Sequence, residues 1–179
     1  NEWIHVAFVR QSTNLRLYLN GEQTGTAAAG TNSVTDSSGI FALGRVGAYA
    51  SNYFNGYISD FNLIKGTCKY ENGVAFTPPT STITAHTNTK LLTCQYSGAV
   101  RNMGFLDDSN SNFEIIRSGD VSPGTFTPFS LEDGYWSWYF DGNHPVEIAD
   151  SGSGLDLPGD FTVEFWAYEP KIGTTNGYT

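Results

Sequence analysis

The stretch "DFTVEFWAYEP", which runs from Asp160 to Pro170, decides the fold class. Phe161, Val163 and Phe165 fall at alternate positions in it. A period of two residues is that of a β-strand, whose successive side chains point to opposite faces. The stretch therefore predicts a strand with one face in a hydrophobic core. Because the sequence closes soon afterwards and opens on an equally strand-like stretch, we expect it to be a piece of a longer folded chain or a processed product.

Short strand-like stretches with turn-forming residues between them make up most of the sequence. The strongest turn signal is Asn20-Gly21, which follows the alternating Leu15, Leu17 and Leu19 and predicts a hairpin. No stretch has the 3.6-residue period of a helix of credible length. The other predicted strands are Trp3–Arg10, Ile40–Val46, Phe54–Gly66, Lys90–Gln95, Phe113–Arg117, Tyr135–Gly142 and Pro145–Asp150.

This pattern predicts an all-β fold, an antiparallel β-sandwich of two stacked sheets. Apolar residues at alternate positions of the strands are the ones expected between the sheets. They are Leu15, Leu17, Leu19, Phe61, Leu63, Phe161, Val163 and Phe165, with Trp3 and Trp166 packing nearby. Trp3 has an alternative role as a surface on which a pyranose ring stacks.

The composition argues against several classes of function. Of the 179 residues, 39% are hydrophobic and 15% aromatic, which is enough for a packed core. The formal net charge of −9 repels phosphate backbones, so we expect no nucleic-acid partner. The sequence has no P-loop and no apolar run of about 18 residues, so we also expect no membrane insertion.

Two groups of motifs resemble a known family. "WIHVAFVR" and "LRLYLNG", followed by "FNGYISDFNL", resemble the second half of a laminin-G-like, concanavalin A-like jelly roll. "YFDG", followed by "LDLPGDFTVEFW", resembles the first half of the same domain. The order is reversed, so we predict parts of two tandem jelly rolls. Residues 1–95 are then the C-terminal half of one domain, 96–130 a connector, and 131–179 the N-terminal half of the next.

The alternative is a circular permutant, in which the two halves complete a single jelly roll. We prefer the tandem interpretation, because the middle strands of a permuted domain are missing from the sequence. A half-sandwich exposes strand edges, so either arrangement is expected to close against neighbouring sequence or another copy.

The sequence between the two halves resembles a narrower group of proteins. "FTPPT", "KLLTCQ", "DDSNSNFEI" and "SPGTFTPFS" are similar to linkers in large virion proteins of marine tailed phages, especially those that infect cyanobacteria. The resemblance implies a virion surface or extracellular location, with host surface polysaccharide, other virion proteins and further copies of the chain as partners. It implies a virion structural and adhesion protein that binds host surface glycans or neighbouring virion proteins. The alternatives are a purely structural capsid or tail decoration protein, and a carbohydrate-binding module of a cellular protein or glycosidase.

Glycan binding is expected in loops at the rim of the sandwich or on its concave face. Tyr49, Asn52 and Tyr53 in "GAYASNYFNG" offer aromatic planes and an amide, which are the groups that sugars bind. An ordinary turn-rich loop is the alternative interpretation of these three residues.

The resemblance also implies calcium, since laminin-G-like domains often hold this ion through carboxylate and carbonyl oxygens. Asp141 stands just before a tight turn, and Asp60 stands in the middle of a strand among apolar residues. We predict these two as metal ligands in separate domains. The alternatives are a turn-forming role for Asp141 and a hydrogen-bonded or surface carboxylate for Asp60.

No catalytic residues are predicted. A glycosidase needs two carboxylates across the scissile bond, and the E-x-D-x-x-E pattern of related glucanases is missing. We interpret Asp160, Glu164 and Glu169 as solvated charges near strand ends. The three histidines, His5, His86 and His144, are too scattered to suggest a catalytic triad. The chain is therefore predicted not to be an enzyme.

Cys68 and Cys94 are the only cysteines in the sequence. Two interpretations stay open for them, namely a disulfide and two buried free thiols. Sequence spacing does not decide between them, because a disulfide depends on the distance between the two residues in space.

Overall fold

The computed structural model describes residues 2–29, 40–46, 52–71, 73–95, 105–129, 136–150 and 154–170, with the backbone alone at 25–29. Every regular element in these ranges is a β-strand. They are β1 (Ile4–Gln11), β2 (Asn14–Leu19), β3 (Glu22–Ala29), β4 (Ile40–Leu43), β5 (Asn55–Lys65), β6 (Thr89–Thr93), β7 (Ile115–Arg117), β8 (Ser122–Gly124), β9 (Ser137–Asp141), β10 (Val146–Ala149) and β11 (Phe161–Tyr168). The described part of the chain has no helix of the length and apolarity needed to cross a membrane.

Eight of these strands form one large antiparallel sheet. Its order is β3-β2-β1-β11-β5-β9-β8, and β6 also pairs with β5. The long strand β5 uses one edge for β11, so β9 and β6 share its other edge, at residues 55–58 and 61–64 respectively. The large sheet is therefore centred on β5 and β11.

A small sheet, in the order β4-β10-β7, packs against one face of the large sheet. Phe61, Leu63 and Phe161 of the large sheet are buried there, and Leu15, Val163 and Phe165 pack against them, as predicted. Val146 and Ile148 of β10 are the matching buried residues of the small sheet. The fold is thus an antiparallel β-sandwich, and the core lies between its sheets.

The other face of the large sheet, its outer face, is also covered. Ala7, Val9 and Tyr18 are buried on this face, and Tyr70 and Phe76 pack over them. We call residues 67–86 the covering segment; Asn72 within it lies outside the described residues. Because of this segment, both faces of the centre of the large sheet lie against protein.

Strands from the two ends of the chain pair with each other. Ile4 of β1 lies opposite Ala167 of β11, and β11 lies opposite β5 on its other edge. The predicted connector contributes β7 to the small sheet and β8 to the large one. This pairing is the one that the permutant alternative requires, and the boundaries at 95 and 130 stay a prediction.

A β-bulge interrupts the pairing of β5 with β11. Glu164 lies opposite Asn62, but Trp166 lies opposite Ser59, so β5 has one extra residue at this point. Asp60 sits in the bulge with a φ of 53°, and its N–H donates to the carbonyl of Cys94. The bulge thereby fixes the position of a carboxyl group in the middle of the sheet.

Candidate functional site

A pocket of about 450 Å³ opens at the rim of the sandwich, where β4 ends and β5 begins. Arg45 forms an isolated β-bridge with Tyr53, and the N–H of Phe54 donates to the carbonyl of Gly44 at 2.8 Å. These bonds hold the two segments side by side. We call this the rim pocket; its lining includes Arg45, Asn52, Tyr53, Phe54, Ile58 and Phe165.

The rim pocket combines an apolar wall with a few polar groups. Phe54, Ile58 and Phe165 supply the wall. Asn52 is exposed, in the left-handed region at a φ of 60°, and Tyr53 is half-buried. Such a combination is usual in small-molecule sites, where apolar walls supply contact area and a few polar groups fix orientation.

Arg45 adds a positive charge that is held in place. Its Nη2 lies 2.9 Å from Oε1 of Glu147 on β10, the neighbour of β4 in the small sheet. Arg45 therefore enters the pocket wall as half of an ion pair, with less freedom than a surface arginine. The pairing across strands that fixes it leaves no pattern in the sequence, which explains why sequence analysis did not find it.

The structure brings two of the three predicted glycan-binding residues together. Asn52 and Tyr53 both line the rim pocket. Tyr49 lies outside the described residues.

Asp60, a predicted metal ligand, is completely buried. Its Oδ1 accepts a hydrogen bond from the N–H of Ile83 at 2.7 Å, and its Oδ2 lies 2.7 Å from the hydroxyl of Ser59. Burial raises the pKa of Asp60 to about 7, and the charge of Glu164 adds to this, although the bonds from Ser59 and Ile83 lower it. A carboxyl group with this environment favours the protonated form.

Asp141, the other predicted ligand, forms a turn. Its Oδ1 accepts from the N–H groups of Asn143 and His144, each at 2.9 Å, and its Oδ2 lies 2.6 Å from Nδ1 of His144. Burial opposes ionisation, but these bonds and the histidine hold the pKa of Asp141 below its ordinary value. This geometry is that of the turn-forming alternative.

Asp60 and Asp141 do not fit one calcium ion. Asp141 pairs with Asn55, five residues before Asp60 on β5, so the two carboxyl groups lie roughly 16 Å apart. All four of their oxygens already have hydrogen-bonding partners. Within the described ranges, no three His, Cys, Asp or Glu side chains are grouped so as to hold a metal ion. Calcium binding stays a prediction from the resemblance.

The position of Glu164 contradicts the prediction made for it. It was expected to be a solvated charge, but it is completely buried on the outer face of the large sheet. Nζ of Lys69 lies 2.6 Å from its Oε1, which also accepts from the side-chain amide of Asn62 at 2.9 Å. The hydroxyl of Tyr70 donates to its Oε2 at 2.5 Å, and Nε2 of His5 lies 3.4 Å from the same oxygen.

These partners decide the charge of Glu164. Burial opposes ionisation, but the contacts with His5, Lys69 and Tyr70 together lower the pKa of Glu164 to about 2. The alternation in β11 does place Glu164 opposite the core face, as predicted. The covering segment supplies Lys69 and Tyr70. Because this segment has no periodic pattern, the sequence does not predict that the two side chains reach Glu164.

Asp60 and Glu164 have the opposite pKa shifts of a general acid and its partner carboxylate. Neither side chain is accessible, however, because each is completely buried. A cavity of about 500 Å³ beneath the covering segment is lined by Asn62 and Lys69, but neither carboxyl group contributes to its wall. Asp160, by contrast, is only half-buried and accepts from the N–H of Ser12, and Glu169 is exposed.

Cys68 and Cys94 are both free thiols in the structure. Cys94 is buried in the core between the sheets, whereas Cys68 packs with the covering segment on the outer face. The two cysteines thus belong to different hydrophobic clusters, and the structure has no disulfide between them. Burial raises the pKa of both thiols.

Comparison with protein families supports the domain type. Residues 1–69 match the model of the laminin-G-like family described as the concanavalin A-like lectin/glucanases superfamily. The match covers β1 to β5 and ends at the start of the covering segment. No curated protein and no solved structure matches the chain significantly. The all-β sandwich is consistent with a concanavalin A-like jelly roll, and the match of residues 1–69 indicates a carbohydrate-binding or structural role.

Proposed function

We propose that the chain is a non-catalytic carbohydrate-binding module that attaches a larger assembly to surface glycans through the rim pocket. The observation that carries the proposal is the convergence of Arg45, Asn52 and Tyr53 on one pocket with an apolar wall. An amide and a guanidinium donate to sugar hydroxyls, and an aromatic ring packs on the C–H face of a pyranose.

The burial of Asp60 and Glu164 supports a binding role over hydrolysis. A glycosidase needs two carboxyl groups on either side of the scissile bond, in contact with the sugar. The described lining of the rim pocket has no carboxyl group, and Glu147, the carboxylate that contacts this lining through Arg45, is held in an ion pair. Purified chain is accordingly expected to bind oligosaccharides without cleaving them.

The setting that we propose is the surface of a tailed-phage virion, with host surface polysaccharide as the partner. This setting is supported by the resemblance of the sequence between the two halves to linkers in virion proteins. In an array of such domains, several weak sites would act together, so the avidity would exceed the affinity of one pocket. We also propose that the chain binds calcium and associates with further copies of itself.

The test is binding to a glycan array, followed by titration calorimetry with the best oligosaccharide. Asn52→Gly removes the amide and keeps a residue that tolerates positive φ, so the backbone is undisturbed. We expect this variant to bind roughly three- to tenfold more weakly, the effect of one net hydrogen bond. Tyr53→Ala is expected to weaken binding further, because it removes the aromatic plane.

Asn112→Gly is the matched control, since Asn112 is also exposed and has a φ of 51°. It should bind like the unchanged chain. A blank array, or equal binding by the Asn52 and Asn112 variants, would rule out the rim pocket. A blank array from a chain that assembles with other virion proteins would support the purely structural alternative.

A further inference from the structure

Three reactive groups meet at one carboxylate oxygen on the outer face of the large sheet. Nζ of Lys69 lies 2.6 Å from Oε1 of Glu164, and the side-chain amide of Asn62 donates to the same oxygen at 2.9 Å. The two nitrogen atoms are therefore no farther apart than the sum of these distances, about 5.5 Å. An amine, a carboxamide and a carboxylate supply what an amide exchange requires, namely a nucleophile, an acyl group and a base.

The large sheet holds the amine and the carboxamide in place. Asn62 lies directly opposite Glu164 in the pairing of β5 with β11, and both residues are buried. The backbone N–H of Lys69 donates to Oγ1 of Thr162, also on β11, at 2.8 Å. The covering segment is thus attached to the sheet at the residue that carries the amine. Strand register, and not only the long side chain of Lys69, brings the three groups together.

The other two oxygen atoms of the cluster have donors of their own. The hydroxyl of Thr89 donates to Oδ1 of Asn62 at 3.3 Å. Negative charge develops on this oxygen when the amide carbon is attacked, so the donor is placed where it stabilises the reaction. Oε2 of Glu164 accepts from Tyr70 at 2.5 Å and lies 3.4 Å from Nε2 of His5. Oε1 is therefore left to the amine and the carboxamide.

We propose that Lys69 and Asn62 form an isopeptide bond within the chain, with Glu164 as the catalytic residue. Glu164 takes a proton from the ammonium group of Lys69, and the neutral amine attacks Cγ of Asn62. The Nζ–Cγ bond forms, and the Cγ–Nδ2 bond breaks with its electron pair going to Nδ2. Two protons pass from Nζ to Nδ2 through Glu164, so ammonium leaves and Glu164 is a carboxylate again. The exchange consumes no oxidant or reductant.

The surroundings of Glu164 set the pace of this reaction. His5, beside it, contacts the rings of Tyr70, Phe76 and Trp166. Apolar surroundings disfavour an ion pair, which brings the neutral amine closer in free energy to the ammonium. The contacts with its partners still lower the pKa of Glu164 to about 2, so the first proton transfer is uphill. The bond is therefore expected to form slowly, after folding.

The released ammonium has a way out of the protein. Asn62 and Lys69 both line the cavity of about 500 Å³ beneath the covering segment, and the side chain of Lys69 is 34% exposed. The product bond would fix the start of the covering segment to β5, at the centre of the large sheet. The exchange takes place once in each chain, so it is a modification of the chain and not turnover of a substrate.

Mass spectrometry of the purified chain after prolonged incubation tests the proposal. Loss of ammonia should lower the mass by about 17 Da from the sequence value. Trypsin should no longer cleave after Lys69, and peptide 46–65, which contains Asn62, should be joined to peptide 66–90. Lys69→Arg and Glu164→Gln should both keep the full mass. Lys65→Arg, on the same strand as Asn62, is the matched control and should lose ammonia like the unchanged chain.

Lys69→Arg keeps a positive charge beside Glu164, so it stays decisive if Glu164→Gln fails to fold. A succinimide at an Asn-Gly pair such as Asn20-Gly21 also releases ammonia, but it hydrolyses in mild alkali and does not depend on Lys69. The proposal is overturned if the unchanged chain keeps its full mass, which would leave the cluster as an ion pair only. A mass loss that persists in Lys69→Arg would overturn it as well.

Discussion

The number of available hydrogen atoms favours the protonated form of Asp60. The hydroxyl of Ser59 has one hydrogen, but it faces two acceptors, Oδ2 of Asp60 at 2.7 Å and the carbonyl of Trp136 at 2.9 Å. If Asp60 is protonated, its O–H donates to Ser59, and Ser59 donates to Trp136. If Asp60 is ionised, one of the two acceptors loses its bond. The geometry therefore agrees with a pKa raised to about 7.

Glu164 shows the opposite case, because its partners supply donors and a positive charge. Its folded pKa is about 2, below the ordinary 4.5, so its contribution to stability is present above pH 4.5 and is lost as the pH falls towards 2. Asp60 has a raised pKa, so its contribution is complete below about 3.8 and is lost as the pH rises through 7.

We predict that Asp60→Asn abolishes a loss of stability between about pH 5 and about pH 8. In the unchanged chain, Asp60 should lower the free energy of unfolding by roughly 2 to 3 kcal/mol over this range. The asparagine amide donates permanently to Ser59 and its oxygen still accepts from Ile83, so the variant should show a flatter profile. Urea unfolding at a series of pH values measures the difference.

The control for this experiment is Asp120→Asn, at an exposed position on the surface. It should keep the pH profile of the unchanged chain. Identical profiles for the unchanged chain and the Asp60 variant would mean that Asp60 ionises normally despite its burial.

At the level of elements, the hairpin β2–β3 supports the covering segment. Asn20 and Gly21 both have positive φ, of 49° and 82°, as a two-residue hairpin turn of the primed type requires. The carbonyl of Gly21 accepts from the N–H of Phe76 at 3.1 Å. A Cβ atom at Gly21 would lie 1.7 Å from the carbonyl oxygen of Phe76. The turn therefore needs glycine for its conformation and also for the approach of Phe76.

Gly21→Ala should destabilise the chain more than Gly66→Ala does. Gly66 has a similar φ of 87°, but a Cβ atom added there would have no neighbour within 4 Å, so alanine meets only backbone strain. That strain costs about 1 to 2 kcal/mol. The clash at Gly21 should add about 1 to 3 kcal/mol, the range for overpacking. Urea unfolding gives the totals, and faster hydrogen exchange at the amide of Phe76 would locate the effect.

Equal destabilisation by the two glycine variants would contradict this account. It would show that Phe76 moves aside at little cost and that the hairpin does not hold the covering segment.

The strands themselves were largely predictable, and the covering segment was not. Alternating residues such as Phe161, Val163 and Phe165 specify a strand locally, and Asn20-Gly21 specifies its turn. Residues 67–86 have no strand period, because they follow the outer face of the sheet without joining it. The functional residues were also predictable only in part. Asn52 and Tyr53 were recognisable by residue type. The roles of Arg45 and Glu164 were not, because they depend on partners distant in the sequence.

At the level of the whole molecule, the large sheet joins the two ends of the chain. Phe8 of β1 lies opposite Val163 of β11, and β11 separates β1 from β5. Phe8 and Leu17 stay 37% and 38% exposed on the inner face, because the three-stranded sheet is narrower than the sheet that it covers. This exposed part of the inner face lies on the β1–β2 side of the sandwich.

A pair of cysteines can test whether this closure takes place within one molecule. Phe8→Cys with Val163→Cys, in a chain that also has Cys68→Ser and Cys94→Ala, places two thiols at directly opposite positions of adjacent strands. The Cα spacing there, about 4.5 to 5.5 Å, permits a disulfide. We predict an intramolecular bond at every protein concentration, seen as a monomer band on a non-reducing gel.

The Phe8→Cys single variant in the same background is the control and should form no intramolecular bond. Disulfide-linked dimers from the double variant would mean that the halves are exchanged between chains. That result would favour the tandem prediction, in which each half pairs with strands from elsewhere.

The central position of β11 in the sheet has a consequence for synthesis. The ribosome makes β1 and β5 early, but the strand that joins them, β11, emerges only after every other described strand. Until then, the unpaired backbone edges and apolar faces of both partners are available to chaperones and to neighbouring nascent chains. Such long-range pairing folds slowly. Production of this polypeptide in a heterologous host should therefore improve when translation is slowed or chaperone supply is raised.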